Sequence, residues 1–179
     1  MKTVYKIGYS ITAPRLRAVG SEDHPPSFLR FNGESKLIVW PKEGLQVAGE
    51  SRFDNIFAFY NLAPGVLVYR DDLLVKCEEF FWLSREGTER LPLRCGSVSL
   101  EVANVVDFLS PESGGARTGR PPCPVDKHYK AIIRIRGQSE TDLFCVSGVA
   151  GIELNEFKGV YDYFGFKGLT FTQIWRGEG

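Results

Sequence analysis

The stretch LNEFKGVYDYFGFKGLTFTQIW (154–175) decides the fold, because it changes from a helical pattern to a strand pattern within a few residues. In its first half, Phe157, Val160, Tyr161 and Phe164 recur at the i, i+3, i+4, i+7 spacing that places apolar side chains on one face of a helix. This spacing predicts a short amphipathic helix that packs its apolar face against a core.

Both ends of this helix carry sequence signals, and a strand follows it. Asn155 is predicted to be the N-cap, and Gly165 the residue that ends the helix in a left-handed conformation. The following run GLTFTQIW (168–175) is rich in β-branched and aromatic residues, which favours a strand. In a regular strand Phe171 and Trp175 would share a face.

Further elements are predicted upstream of this stretch. Alternating or β-branched runs predict strands over residues 3–11, 66–69, 98–108, 128–136 and 142–146, the last two as a hairpin. In the first of these strands, Tyr5, Ile7 and Tyr9 share one face. A second helix is predicted over DDLLVKCEEFFW (71–82), where apolar residues fall at helical spacing and two Asp residues stand at the start.

These elements predict an α+β fold in one domain, with a mainly antiparallel β-sheet and two or three short helices. Residues 1–52 are predicted to add an N-terminal strand and an irregular arm (12–35) to this domain, and residues 53–179 to form its core. The Pro- and Gly-rich segment 110–124 is predicted to be a loop. Both the arm and the loop are candidates for ordering when a partner binds.

Charge and cysteine content narrow the function. The 22 basic and 22 acidic side chains cancel, which disfavours a dedicated nucleic-acid binder. The four cysteines are widely spaced and the two histidines stand alone, so no metal site is predicted. No apolar run reaches the roughly 20 residues of a membrane-spanning helix, and the N-terminus lacks the apolar region of a signal peptide. We therefore predict a cytoplasmic protein without membrane contact.

No catalytic or cofactor-binding constellation can be assembled from the sequence. The loop SGGARTGR (113–120) lacks the Lys and the Ser or Thr with which a P-loop holds phosphate and magnesium. Cys123 or Cys145 with His128 is the remaining nucleophile–base pair, and no flanking signature accompanies it. We predict that the protein is not an enzyme, uses no cofactor and acts by binding another protein.

Two long runs resemble the bacterial immunity protein 11 family, formerly domain of unknown function 1629. They are RLPLRCGSVSLEVANVVDFLSPESG (90–114) and DLFCVSGVAGIELNEFKGVYDYFGFKGLTFTQIW (142–175), and GVLVYRDDLLVKCEEF (65–80) is similar to an earlier strand–helix element of the family. The positions that match the family pattern are Asn104, Asp107, Leu109, Ser113, Leu143, Phe144, Gly148, Gly168, Leu169 and Phe171. Together the similar stretches lie between residues 53 and 175.

The resemblance implies a protective binding partner for a bacterial toxin. Such proteins bind a cognate toxin domain and either cover its active site or hold it in an inactive conformation. Many toxin domains are nucleases with basic clefts, to which an acidic surface is complementary. The acidic residues expected to contact the toxin are Asp71, Asp72, Glu78, Glu79, Glu153, Glu156 and Asp162. The sequence leaves open whether the protein also forms a homodimer.

A second interpretation assigns the binding to a basic strand. Within residues 127–136, the side chains of Lys130, Arg134 and Arg136 would point outward and contact a nucleic acid or another anionic ligand. The zero net charge favours a plainer role for this basic stripe, in which its charges protect the edge strand of a sheet from aggregation.

Overall fold

Three β-sheets and a short helix form the part of the chain that the computed structural model describes, residues 1–18, 45–47, 57–72, 88–91, 99–103, 107–109, 133–135, 142–148 and 156–178. In chain order the strands are β1 (Lys2–Tyr9), β2 (Leu16–Ala18), β3 (Leu45–Val47), β4 (Phe59–Tyr60), β5 (Leu67–Arg70), β6 (Thr88–Leu91), β7 (Leu100–Ala103), β8 (Asp107–Leu109), β9 (Ile133–Ile135), β10 (Leu143–Ser147) and β11 (Leu169–Gly177). The helix α1 (Phe157–Tyr163) lies between β10 and β11. None of the helices in these residues is both long enough and apolar enough to cross a membrane.

The largest sheet has five strands in the order β11-β1-β10-β9-β8. The N-terminal strand β1 pairs antiparallel with β11 on one side and with β10 on the other, so both chain ends meet in this sheet. Among the strand pairs that the described residues form in this sheet, β8 and β9 run parallel and the others run antiparallel. The antiparallel pairing of β9 with β10 confirms the predicted pairing of the segments 128–136 and 142–146.

The predicted face of β1 is confirmed. Ile7 is buried in the main hydrophobic core, and Tyr5 and Tyr9 pack against that core from the same side of the sheet. Alternation along a strand sends successive side chains to opposite faces, so Val4 points to the other face, where it is also buried.

A β-bulge in β11 overturns one prediction. Tyr5 pairs with Gln173, but its neighbour Val4 pairs with Trp175, which leaves Ile174 as an extra residue in β11. The extra residue reverses the alternation, so Trp175 lies on the face of Val4 while Phe171 lies on the face of Ile7. The prediction that Phe171 and Trp175 share a face is therefore wrong.

The long strand predicted over residues 98–108 is also wrong. Its first part is β7, which belongs to an antiparallel four-stranded sheet in the order β4-β5-β7-β6. Its second part is β8, which lies at the edge of the five-stranded sheet. Both parts alternate in sequence, and alternation alone does not show to which sheet a strand belongs.

The N-terminal arm is more regular than predicted. Residues 16–18, which fall inside the predicted irregular segment 12–35, form β2 and pair antiparallel with β3. The N–H of Leu16 also donates to the carbonyl of Asn61 (2.8 Å), which ties the arm to the loop after β4. The rest of this arm, the predicted loop 110–124 and the predicted helix beyond Asp72 lie outside the described residues, and Asp71 and Asp72 themselves are helical.

The main core joins the five-stranded sheet to α1 and to the strands β4 and β5. Phe59 is fully buried at its centre, and its ring lies 5.7 Å from the ring of Tyr161 and 6.1 Å from that of Phe157. Burial of one such side chain stabilises the fold by roughly 1.5–3 kcal/mol, and each well-oriented ring pair adds about 0.5–1.5 kcal/mol. The described fold is thus mostly antiparallel sheet with one short helix, in line with the coarse α+β prediction.

Candidate functional site

The acidic residues predicted to contact a toxin lie in different surroundings. Glu156 is only 2% exposed, and its carboxylate accepts hydrogen bonds from the hydroxyl of Ser147 and the N–H of Gly148 (both 2.8 Å). It occupies the N-cap position of α1, where the sequence had predicted Asn155. Because its carboxylate is buried and bonded, Glu156 holds α1 to the end of β10 and is not available to a partner.

Two further acidic candidates are paired with basic neighbours. Asp72 forms a two-point ion pair with the guanidinium of Arg70, whose Nε lies 2.9 Å from Oδ1. Asp162, whose side chain is 56% exposed, pairs with Lys158 one helical turn earlier. Asp71 is partly exposed, and Glu78, Glu79 and Glu153 lie outside the described residues. The described carboxylates therefore do not amount to a strongly anionic surface.

The basic alternative is described only in part. Arg134 lies in β9, which pairs with β10 on one side and with β8 on the other. It is therefore in an interior strand, and the interpretation that this stripe protects a sheet edge is wrong for Arg134. Lys130 and Arg136 lie outside the described residues.

The clearest surface feature is an aromatic group at the C-terminal end of α1, which we call the aromatic end and define as Tyr163, Phe164 and Phe166. Tyr163 is 68% exposed and Phe164 37%. The rings of Tyr163 and Phe164 meet edge to face at 5.1 Å, and those of Phe164 and Phe166 stack at 5.5 Å. The helical spacing predicts that Phe164 lies in the buried stripe of the helix, but Phe164 is the C-cap residue and is exposed.

The backbone holds the aromatic end in place through a Schellman motif. The N–H of Phe166 donates to the carbonyl of Tyr161 (3.0 Å), and the N–H of Gly165 donates to that of Asp162 (3.1 Å). Gly165 has φ 63°, the left-handed conformation that this turn requires, which confirms its predicted role. The ring contact between Tyr161 and Phe166 (6.2 Å) is the apolar contact that accompanies such a motif.

Tyr161 connects the aromatic end to the neighbouring strand. Its hydroxyl accepts a hydrogen bond from the N–H of Leu169 (3.0 Å) and donates one to the carbonyl of the same residue (3.2 Å). Burial raises the pKa of this hydroxyl, the hydrogen bond from the backbone of Leu169 lowers it by less, and the nearby Asp162 raises it further. The neutral hydroxyl thus serves as a fixed partner for the start of β11.

The cation of Lys158, on α1, packs against two aromatic rings of the sheet. The ammonium of Lys158 is 5.3 Å from the ring centroid of Tyr5 and 5.4 Å from that of Phe171, within cation–π range. Its ion-pair partner Asp162 directly precedes Tyr163 in the helix, so an exposed carboxylate lies next to the exposed rings. Aromatic residues with a charged border are the composition that protein-binding surfaces favour.

A cleft of about 310 Å³ lies where β1, β10 and the start of β11 meet the loop after β4. Its charged groups, Lys6 and Asp142, pair with each other at 2.7 Å. The rest of its lining includes Ile7, Leu67 and Leu143. The lining of the cleft thus combines one ion pair with mostly apolar side chains.

The thiol alternative finds no support at Cys145. This residue is fully buried in the core, and burial raises the pKa of its thiol, so the reactive thiolate is disfavoured. Cys123 and His128 lie outside the described residues. Within the part of the chain that is described, no group of three or more His, Cys, Asp or Glu side chains is placed to hold a metal ion.

No protein-family model, curated protein or solved structure matches the chain. The resemblance to the immunity protein 11 family therefore rests on the residues quoted for it and stays a prediction.

The sequence reasoning missed the aromatic end. The helical spacing of Phe157, Val160 and Tyr161 was interpreted as a core stripe, and these three residues are indeed buried. The signal that was overlooked is Tyr163, which falls off that stripe and is therefore placed on the solvent side of the same helix. A single exposed aromatic residue is ordinary, but the three adjoining rings of the aromatic end form a contiguous patch, which indicates a contact surface.

Proposed function

We propose that this protein is an immunity protein, which acts in the cytoplasm by binding a cognate bacterial toxin domain and neutralising it. In this proposal the chain carries out no reaction. It covers the active site of the toxin or holds the toxin in an inactive conformation, as the resemblance implies.

The observation that carries the proposal is the exposed aromatic end of α1. Binding energy at protein interfaces is concentrated in a few aromatic or Arg side chains, surrounded by polar groups that exclude water. Tyr163 supplies such an anchor, and the exposed carboxylate of its neighbour Asp162 supplies a polar group beside it. The Schellman motif fixes the backbone that carries these rings, so the partner does not have to order this segment of the main chain on binding.

This surface replaces the acidic face that the sequence had predicted. Of the described acidic candidates, Asp162 borders the aromatic end directly and keeps its place in the proposal. Glu156 is no longer proposed to contact the toxin, because its carboxylate is buried. Asp71 and Asp72 follow β5 and are not needed for this interface.

The proposal predicts that the adjacent upstream gene encodes the toxin, and the test is binding to the product of that gene. That protein is co-expressed with tagged wild type, Tyr163→Ala or Glu178→Ala, and growth rescue and the dissociation constant are measured. We expect Tyr163→Ala to weaken binding by about 2 kcal/mol, or roughly thirtyfold, as for interface anchors. Glu178→Ala, an exposed change after the far end of β11, should bind like wild type.

Two results would contradict the proposal. If wild type neither binds the neighbouring product nor restores growth, the protein is not its immunity protein. If wild type binds and Tyr163→Ala binds equally well, the toxin is bound by another surface and the role of the aromatic end is wrong.

A further inference from the structure

The strand β11 forms one edge of the five-stranded sheet, because it pairs with β1 and with no other strand of the described chain. An edge strand directs every second N–H and C=O away from its partner. A row of such groups is a ready template for another extended chain.

The hydrogen bonds show which groups of β11 face outward. The carbonyl of Gly168 faces β1, since it accepts from the N–H of Ser10 at 2.9 Å. By alternation, the N–H and C=O of Leu169, Phe171 and Gln173 point away from β1. Leu169 confirms this, because the Tyr161 hydroxyl reaches both of its groups from that outer side.

The open part of the edge is bounded at both ends. Tyr161 occupies the outer side of Leu169, and the bulge at Ile174 interrupts the alternation beyond Gln173. Between these points the N–H and C=O of Phe171 and Gln173 face outward, and the structure shows no partner for them among the residues it describes. We call this the edge window.

The edge window has the chemistry of a docking strand. The run LTFTQIW (169–175) contains no charged residue, no Pro and no Gly, whereas edge strands that avoid pairing usually carry charges or Pro. The side chains of Thr170 and Thr172, between and beside the residues of the edge window, are exposed to solvent. The window also adjoins the aromatic end, since Tyr161 contacts Phe171 (4.9 Å) and Phe166 (6.2 Å).

From this geometry we infer that the toxin docks by strand addition: an uncharged, extended segment of the toxin pairs with β11 at Phe171 and Gln173. This inference rests on the proposed function and names its binding mode. Two N–H and two C=O groups, alternating along one line, are complementary to another extended backbone. Because the ring of Tyr161 contacts both Phe171 and Phe166, we expect the partner that pairs with the edge window also to contact the aromatic end.

The test follows individual amides by hydrogen exchange, in the free protein and in its complex with a catalytically inactive product of the adjacent gene. In the free protein, the amides of Thr170 and Thr172 should exchange slowly and those of Phe171 and Gln173 fast. In the complex, we expect the latter two to slow at least tenfold. Thr170 and Thr172 serve as internal controls because their amides face β1.

A matched pair of variants gives a second readout. Gln173→Pro removes an outward N–H and no bond to β1, so we expect about tenfold or greater weakening of toxin binding. Gln173→Ala keeps the N–H and should bind within about twofold of wild type. Thermal unfolding of both variants checks that they are folded, and the exchange measurement on wild type stands if Gln173→Pro is not.

The outcomes separate the two proposals. Absence of any complex with wild type contradicts the proposed function itself. A complex in which Phe171 and Gln173 exchange at their free rates, or in which folded Gln173→Pro binds like wild type, overturns strand addition and leaves the proposed function intact. Protection of these amides in the free protein, rising with its concentration, would assign the edge window to a second copy of this chain and overturn the inference.

Discussion

Tyr161→Phe is the change that best tests how the helix and the edge strand are held together. It removes one oxygen atom and leaves the ring, whose contacts with Phe59 (5.7 Å) and Phe171 (4.9 Å) are kept. The two hydrogen bonds to Leu169 are lost, one of 3.0 Å and one of 3.2 Å. Leu169 is buried, so its N–H and C=O lose their partner in a place that water reaches poorly.

The expected cost follows from these two bonds. A hydrogen bond contributes about 0.5–1.5 kcal/mol net, and leaving a buried polar group without a partner costs about 1–3 kcal/mol. The edge position lets some water reach Leu169 after a small adjustment, which keeps the total near the lower figures. We expect the free energy of unfolding to fall by about 1–3 kcal/mol.

The measurement is urea unfolding followed by circular dichroism, with the slope m compared between variants. Tyr163→Phe is the matched control, because it removes the same atom from an exposed ring on the same helix, and its effect should stay within about 0.5 kcal/mol. If the two variants lose the same stability, the reasoning on Leu169 is wrong. Exchange of the Leu169 amide should also accelerate in Tyr161→Phe alone.

Three other predictions concern the fold and its titratable groups. Gly168→Ala should lower the free energy of unfolding, measured in urea, by at least about 2 kcal/mol more than Gly165→Ala does. Both glycines have a positive φ, but of the two only Gly168 would place a Cβ against backbone, 2.3 Å from a carbonyl oxygen. Burial raises the pKa of Tyr9 and of Tyr161, so the free energy of unfolding should keep its full value below pH 10 and fall as the pH rises above 10. If the free energy of unfolding falls by the same amount in Tyr9→Phe as in wild type between pH 9 and 11, this expectation is wrong for Tyr9. Under native conditions Cys145 should resist iodoacetamide and react once urea unfolds the protein, as peptide mass mapping would show; native labelling would refute its burial.

The sequence predicts local structure better than it predicts pairing. The helix at 157–163, its glycine end and the strand after it follow from spacing and turn chemistry, which act within a few residues. The sheet to which each strand belongs depends on contacts far along the chain. For this reason the predicted strand 98–108 was assigned as one element, although the structure divides it between two sheets.

The candidate site shows the same contrast between what a local sequence pattern predicts and what depends on long-range contacts. Acidic residues were selected because charge is visible in a sequence, but burial and ion pairing are not. Glu156 is buried and bonded to the end of β10, and Asp72 and Asp162 are paired with neighbouring cations. The bulge at Ile174, which moves Trp175 to the other face and ends the edge window, has no marker in the run TFTQIW.

Stability and binding are coupled in this fold through Tyr161. Its ring belongs to the core, its hydroxyl closes the start of the edge, and its carbonyl anchors the Schellman motif that holds the aromatic end. A partner that pairs with the edge window binds only the folded state, so it raises the free energy of unfolding by RT ln(1 + [L]/Kd), about 2.7 kcal/mol at a hundredfold excess over Kd. Tyr161→Phe should therefore lose stability in the free protein and also affinity, since the partner must then order the start of β11 as it binds. A variant that lost stability alone would show that the edge is already fixed without this hydroxyl.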